Sequence, residues 1–384
     1  MTKPNHRLAT ALALLLSLAI LIGLLLLARR DSPAPQNATE YVEYERGRVT
    51  QILSDSCQPD PTAGGAYRGE QTLLVELTTG QYQGETLLTQ HTVGPIYGEP
   101  ARVGQRLILA ISTYENGDHR AAVYEYDRSP AVYLLVAAFL AVTVLVGRKT
   151  GLKSIIGLAL TVFCLLFLLI PLLLKGWPTV PTTFGLCSYI AVVCFLILGG
   201  LNRKTLCACL GTVAGMALAM VFGLAAQALA HVNGLRMSDA EALLQLRQTG
   251  ESAIQIQGLL VAGVIVSSLG AVMDVAMSIS SALRELKAVN PQLRFRQLWQ
   301  SGMNIGRDMV GTMTNTLILA FLGSSLVLIV YLYSLSLPFH QLMSSAYLSL
   351  ELISGLASAT GVILAVPLTA AIGALLYGRP RTEI

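Results

Sequence analysis

Runs of about 20 mostly apolar residues recur along this chain, each the length that an α-helix needs to cross a bilayer. Eight such runs stand out: 8–28, 131–147, 154–174, 182–200, 205–230, 256–282, 309–334 and 346–377. Backbone polar groups in hydrocarbon must be satisfied within the segment itself, so each run reads as a helix. Only 12% of the residues are charged, against roughly 25% in soluble domains, so most of the surface must face lipid. The expected fold class is an α-helical polytopic membrane protein of about eight spans, carrying a small all-β extracytoplasmic domain. Pro367 is expected to kink or divide the last run, because proline removes a helix donor. The first run, Leu8 to Ala28, exceeds the 7–15 residues of a signal-peptide core, so an uncleaved anchor is expected over residues 1–30.

Orientation follows from the loop charges. With the N-terminus in the cytoplasm, the inner segments hold 14 Lys and Arg, among them Arg148, Lys149, Arg203, Lys204, Arg284 and Arg379. The short outer segments hold five: Arg29, Arg30, Lys175, Arg236 and Arg247. The excess places both termini inside a bacterial-type plasma membrane, Arg29 and Arg30 weighing the other way. The net charge of +4 is spent at the ends of apolar runs and does not point to nucleic acid.

Residues 40–128 form the one sizeable polar segment, tied to the anchor by a stiff linker, Ser32-Pro33-Ala34-Pro35-Gln36-Asn37, within 31–39. Tyr41–Leu53, Leu73–Leu77, Thr86–Thr92, Arg106–Ser112 and Ala121–Tyr126 are rich in Leu, Ile, Val, Thr and Tyr and bounded by Gly or Pro, as strands are. Asn116-Gly117 between the last two suits a tight hairpin. Five strands suggest a small barrel of the OB or SH3 kind. In the outer loop, Ser238-Asp239-Ala240-Glu241 resembles a capping box opening a short helix through Arg247. Inside, Asn290 and Pro291 are placed to cap and start a helix. Its alternation of Leu293, Phe295, Leu298 and Trp299 with Arg294, Arg296 and Gln297 suits the inner membrane surface.

The run 256–282 carries the most chemistry. Gly263, Ser267, Gly270, Asp274, Met277 or Ser278, and Ser281 recur at steps of three and four, so they share one helix face. A carboxylate in hydrocarbon costs several kcal/mol unless paired or protonated, and no Lys or Arg falls inside an apolar run. Asp274 must therefore be protonated, hydrogen-bonded by Ser, Thr or Asn, reached by water, or bound to a cation. The plainer alternative is a neutral Asp gluing two helices. In the next span Asp308, Thr312 and Asn315 fall at i, i+4 and i+7 on one face, with Asp308 at the boundary, where it also suits a solvated helix start. Glu351 opens the last run near the outer face. Gly211, Gly215, Ala219 and Gly223 form a small-xxx-small ladder, a packing signal, as Gly263 and Gly270 also are.

No phosphate loop, HExxH or GxSxG is present, and Cys207-x-Cys209 lacks a second pair. No metal, cofactor or enzymatic activity is expected. A buried acid beside a Thr/Asn face suits a proton- or cation-coupled transporter of a small solute. The alternative, from another class, is a non-transporting assembly or signalling subunit whose barrel binds an envelope partner. Lipid is an expected partner, and a homo-oligomer a further one.

Two stretches resemble a known family. Gly270-Ala271-Val272-Met273-Asp274-Val275-Ala276-Met277-Ser278-Ile279 and Gly306-Arg307-Asp308-Met309-Val310-Gly311-Thr312-Met313-Thr314-Asn315-Thr316-Leu317-Ile318-Leu319-Ala320 are similar to signatures of the YibE/F-like membrane proteins. The likeness runs from about 130 to 378, which implies a seven-span domain there, a tail over 379–384, and a multi-pass protein typical of Gram-positive bacteria. It brings no mechanism and no assigned residues.

Overall fold

The computed structural model describes residues 4–29, 41–113, 119–232, 235, 240–250 and 252–378. The linker 31–39, the Asn116-Gly117 turn, the capping residues Ser238 and Asp239, and the tail 379–384 lie outside the described residues. The chain divides into two compact units, Ala34–Val142 and a helical unit made of Met1–Pro33 with Thr143–Ile384.

In the first unit six strands form: β1 (Tyr41–Asp55), β2 (Gln58–Pro59), β3 (Tyr67–Leu77), β4 (Thr86–Val93), β5 (Arg106–Thr113) and β6 (His119–Tyr126). The sheet order is β1-β5-β6-β4-β3-β2, and β1 also pairs with β3. The five longer strands therefore close into a barrel, as their number suggested. One of its seams is parallel, Thr89 and Gln90 of β4 against Ala121 and Ala122 of β6. A simple up-and-down meander makes no parallel pair, so this is the Greek-key connectivity of an OB-type barrel. Leu73, Val75 and Leu77 alternate into the core with Val49, Leu107, Leu109 and Ile111. Burying each of these contributes about 1.5–3 kcal/mol. Gln71 is buried among them but satisfied: its Nε2 donates to Asp55 Oδ2 at 2.8 Å and its Oε1 accepts from Ala101 N at 2.7 Å. Gly69 holds a φ of +152°, and a Cβ there would stand 2.7 Å from the Cys57 Cα, so only glycine lets β3 approach the chain at Ser56-Cys57.

The helices are α1 (Pro4–Arg29), α2 (Ser129–Cys164), α3 (Ile170–Leu174), α4 (Thr179–Gly199), α5 (Arg203–Leu229), α6 (Ala240–Gln248), α7 (Leu259–Val289), α8 (Phe295–Ser324), α9 (Leu326–Ser334), α10 (Phe339–Met343) and α11 (Ala346–Gly378). Five helical stretches are long and apolar enough to cross a membrane, or six if the bent pair α8–α9 is one span. Thr10–Leu26 of α1 is a shorter apolar helix. The first of the five, Ser129–Leu174, is 46 residues long and broken at Arg148, whose φ of 49° and ψ of −130° are not helical. At this break the Thr143 carbonyl occupies the place of a Cβ on Gly151. Eight residues of straight helix would hold those positions about 12 Å apart, so the chain turns there. Beyond it a π-helical turn, Leu165–Leu169, precedes Pro171, whose missing N–H cannot continue an α-helical ladder.

Three sequence expectations are corrected here. Pro367 lies inside one continuous helix, Ala346–Gly378, so of the expected kink or division it is the division that is overturned. Asn290 closes α7 instead of opening a helix, its N–H donating to Leu286 O, and Gln297 Oε1 accepts from Arg294 N at 2.9 Å, so the next helix begins at Phe295. The amphipathic stretch expected along the inner surface is thus the first turns of α8. The run 309–334 bends by 61° between Ser324 and Leu326.

α11 packs against α5, α7 and α8, and α5 against α7. Close approach rests on small residues. A Cβ on Gly215 of α5 would stand 2.7 Å from Ala365 Cβ and from Val272 Cγ1, one on Gly361 of α11 would meet Ala219, and one on Gly211 would meet Thr369. A second core joins α2, α3, α4 and α7 through Cys164, Leu172, Ile190 and Ile265. α1 packs on α4, where Tyr189 Oη donates to Ser17 O at 2.8 Å.

Candidate functional site

Asp274 is the sixteenth of the 31 residues of α7. A helix of that length extends about 46 Å, and a hydrocarbon core is about 30 Å thick. Wherever such a core lies along the helix, it includes the midpoint and therefore Asp274. The residue is exposed on the surface of the helical unit. Its carboxyl has no hydrogen bond or ion pair among the described residues; the ion pairs described are Arg46–Asp127, Arg68–Asp60 and Arg128–Glu125.

The small stripe of α7 separates into two parts. Gly263, Gly270, Asp274 and Ser278 are exposed, and a Cβ on either glycine would meet nothing within 4 Å. Ser267, on the same stripe, is bonded across to α11, its Oγ 2.8 Å from Ser358 Oγ. In contrast Gly211 and Gly215 are buried against α11, and Gly223 faces Val261 and Val264 of α7 at ordinary contact distance.

α8 turns back along α7 after a short connection. A Cβ on Gly302 would stand 3.4 Å from Leu283 Cδ1, and one on Gly306 3.2 Å from Ile279 Cδ1. Four residues forward on α8 match four back on α7, so Gly311 comes level with Asp274 and Asn315 with Gly270. Asp308, Gly311, Thr312 and Asn315 are exposed. Thr312 Oγ1 donates to Met309 O at 3.1 Å, whereas Asp308 and Asn315 have no side-chain hydrogen bond among the described residues. Arg307, one turn nearer the start of α8 than Gly311, is exposed and reaches only Asn304 Oδ1 at 3.4 Å. The structure thus places Asp274, Ser278, Asp308, Thr312 and Asn315 in one belt of depth, each on an open helix face.

Glu351 lies apart from that belt. It lines a 60 Å³ cavity at the bend between α8 and α9, with Ile318, Phe321, Ser325, Leu352 and Leu356. Sequence reasoning missed Gly302 and Gly306, which seat α8 on Ala370 and Val366 of α11; their G-x-x-x-G spacing was the available signal. It also missed Ser280, whose Oγ donates to Lys204 O at 2.8 Å and ties α7 to the start of α5. Among the described residues no three His, Cys, Asp or Glu side chains are grouped to hold a metal.

Long apolar helices packed through small residues, an OB-type barrel and an acidic helix midpoint define the class as a multi-helical membrane protein with a β domain. The chain belongs to the YibE/F-like protein family, whose model matches residues 135–379. No curated protein sequence and no solved structure matches it.

Proposed function

We propose that this chain is a plasma-membrane transporter in which Asp274 binds and releases a proton or a small cation while a solute crosses. The supporting observation is the carboxyl at the midpoint of α7, without a cationic or hydrogen-bonding partner among the described residues. An intramembrane acid is costly and persists where it has a task. Asp308, Thr312 and Asn315 supply oxygen and amide groups at neighbouring depths on α8, as a relay or cation path needs. Neither a catalytic role nor a resident cofactor enters this reading.

Eight crossings fit it best. Ser129–Leu174 has 46 residues, about 69 Å of helix and over twice the hydrocarbon thickness; with the turn at Arg148 it supplies two crossings. α1, α4, α5, α7, α8 with α9, and α11 supply the remainder. An even number puts both termini on one side, and the positive residues make that side the cytoplasm.

The second reading, an assembly or signalling subunit, draws support from the barrel. Tyr44 and Tyr124 are 58% and 61% exposed and pack edge to face at 4.8 Å, an aromatic surface of the kind that binds proteins. Purified protein in liposomes with a trapped pH-sensitive dye separates the two. The transporter moves protons or cations down an imposed gradient; a subunit without transport leaves the dye unchanged.

A further inference from the structure

The open belt of α7 and α8 poses a solvation problem that a single chain leaves unsolved. Asp274 lies within the hydrocarbon whatever the placement of the bilayer along α7, and so does Asn315, level with Gly270 one turn away. Both face outward. A bare carboxyl there costs several kcal/mol, and a bare amide costs further. Lipid tails offer neither group a hydrogen bond, so another surface must cover them.

We propose that this belt is the interface on which a second copy of the same chain docks, related by a two-fold axis along the membrane normal. Charge complementarity points to a second copy. The belt and its edge hold two unpaired acids, Asp274 and Asp308, and an exposed base, Arg307, with no acidic partner among the described ion pairs. By the register of α7 on α8, Arg307 is level with Ser278, four residues or about 6 Å from Asp274 in depth, a span that an arginine side chain bridges. A two-fold rotation about the normal preserves depth. It therefore keeps Arg307 of each copy within one turn in depth of Asp274 of the other, and docking of the two open faces in an isologous contact brings them together. The surface also fits close approach of helices: Gly263, Gly270 and Gly311 leave open space where a Cβ would stand, the property that lets backbones meet in membranes. An unrelated partner would have to supply both charges at matching depths, whereas a second copy already carries them. The interface needs no transport activity, and its loss leaves the proposed function untouched; its presence gives Asp274 a cationic neighbour that a single chain lacks, so a lasting Asp274–Arg307 pair counts against ion coupling at Asp274.

Two differently tagged full-length copies, co-expressed and extracted in mild detergent, test this. The wild-type copies co-purify. Gly270→Trp enters open space within one chain, so it reaches the membrane at normal abundance, yet lowers co-purification by about tenfold or more through overpacking of the interface. Asp274→Arg and Arg307→Asp each weaken co-purification, and the double variant restores it. Wild-type copies that purify separately overturn the proposal. So do a Gly270→Trp variant associating as wild type, a double variant no better than either single one, and a different protein holding this face in place of the second copy.

Discussion

Adding one methyl at Gly215 is expected to loosen the helical unit, although the same change at Gly185 is not. A Cβ on Gly215 stands 2.7 Å from Ala365 Cβ and 2.7 Å from Val272 Cγ1, where carbon atoms prefer about 3.5–4.0 Å. Roughly 1 Å must therefore be regained on two sides at once. Ala365 has no rotamer to change, and Val272 is fully buried, so α11 and α7 must both shift. Overpacking a filled core costs about 1–3 kcal/mol, and displacing two helices puts Gly215→Ala near the upper end. Gly185, inside α4, meets nothing within 4 Å. There Gly185→Ala removes backbone freedom and stabilises by about 0.5–1 kcal/mol. The two chemically identical substitutions should differ by roughly 3–4 kcal/mol, the sum of these two effects. Thermal unfolding of detergent-solubilised protein, followed by size-exclusion chromatography after heating, reads the order: Gly215→Ala lowest, wild type between, Gly185→Ala highest. Gly215→Ala as heat-resistant as wild type would refute the packing assigned to the α5–α11 seam.

The remaining predictions concern topology and the barrel. A reporter active only outside the cytoplasm should work when fused after Ser129 and fail after Lys149 or Arg203; activity after Lys149 would reverse the orientation. Residues 40–128 expressed alone should be soluble, with a β-type circular dichroism spectrum, because the strands close on one another and leave few free edges; a random-coil spectrum would contradict that. Their stability should be acid-sensitive. The Asp60 carboxyl is held below the ordinary Asp range by hydrogen bonds from Thr62, with Arg68 adding charge. Within residues 40–128, Asp55 is lowered likewise, first by the Cys57 N–H and then by Gln71. Groups with lowered folded pKa add stability above their unfolded value near 3.8 and lose it as pH falls through the folded value. Denaturation midpoints should therefore be flat from pH 7 to about 5 and fall below about pH 4; midpoints unchanged at pH 3 would exclude these contacts.

Much of this architecture was legible because hydrophobic patterning is local. Tyr41–Leu53 and Arg106–Ser112 carry their strand signal in their own residues, and the structure finds β1 and β5 within two residues of those bounds. The choice between OB and SH3 barrels was not legible, since it depends on β4 meeting β6 in parallel across intervening strands. The start of α8 was hidden by its mixed composition: Arg294 and Arg296 interrupt the apolar run, yet Leu298 is fully buried against α7 and α11. No proline marks the bend at Ser325. The deepest limit concerns the stripes. Gly215 in α5 and Gly270 in α7 read alike as small residues at helical spacing, yet one is pressed against Ala365 and the other meets nothing. Spacing identifies a face, while what covers that face is set by distant parts of the chain.

Asp274→Asn decides most directly whether the acid at the midpoint of α7 couples an ion. The amide keeps the shape and one accepting oxygen but cannot titrate. Wild type, Asp274→Asn and Asp308→Asn should be reconstituted at equal density and their proton and cation fluxes compared, with membrane abundance measured in parallel. Coupling through Asp274 predicts normal abundance and lost flux for Asp274→Asn, with a milder loss for Asp308→Asn, about one turn away in depth. Undiminished flux in Asp274→Asn would contradict the account.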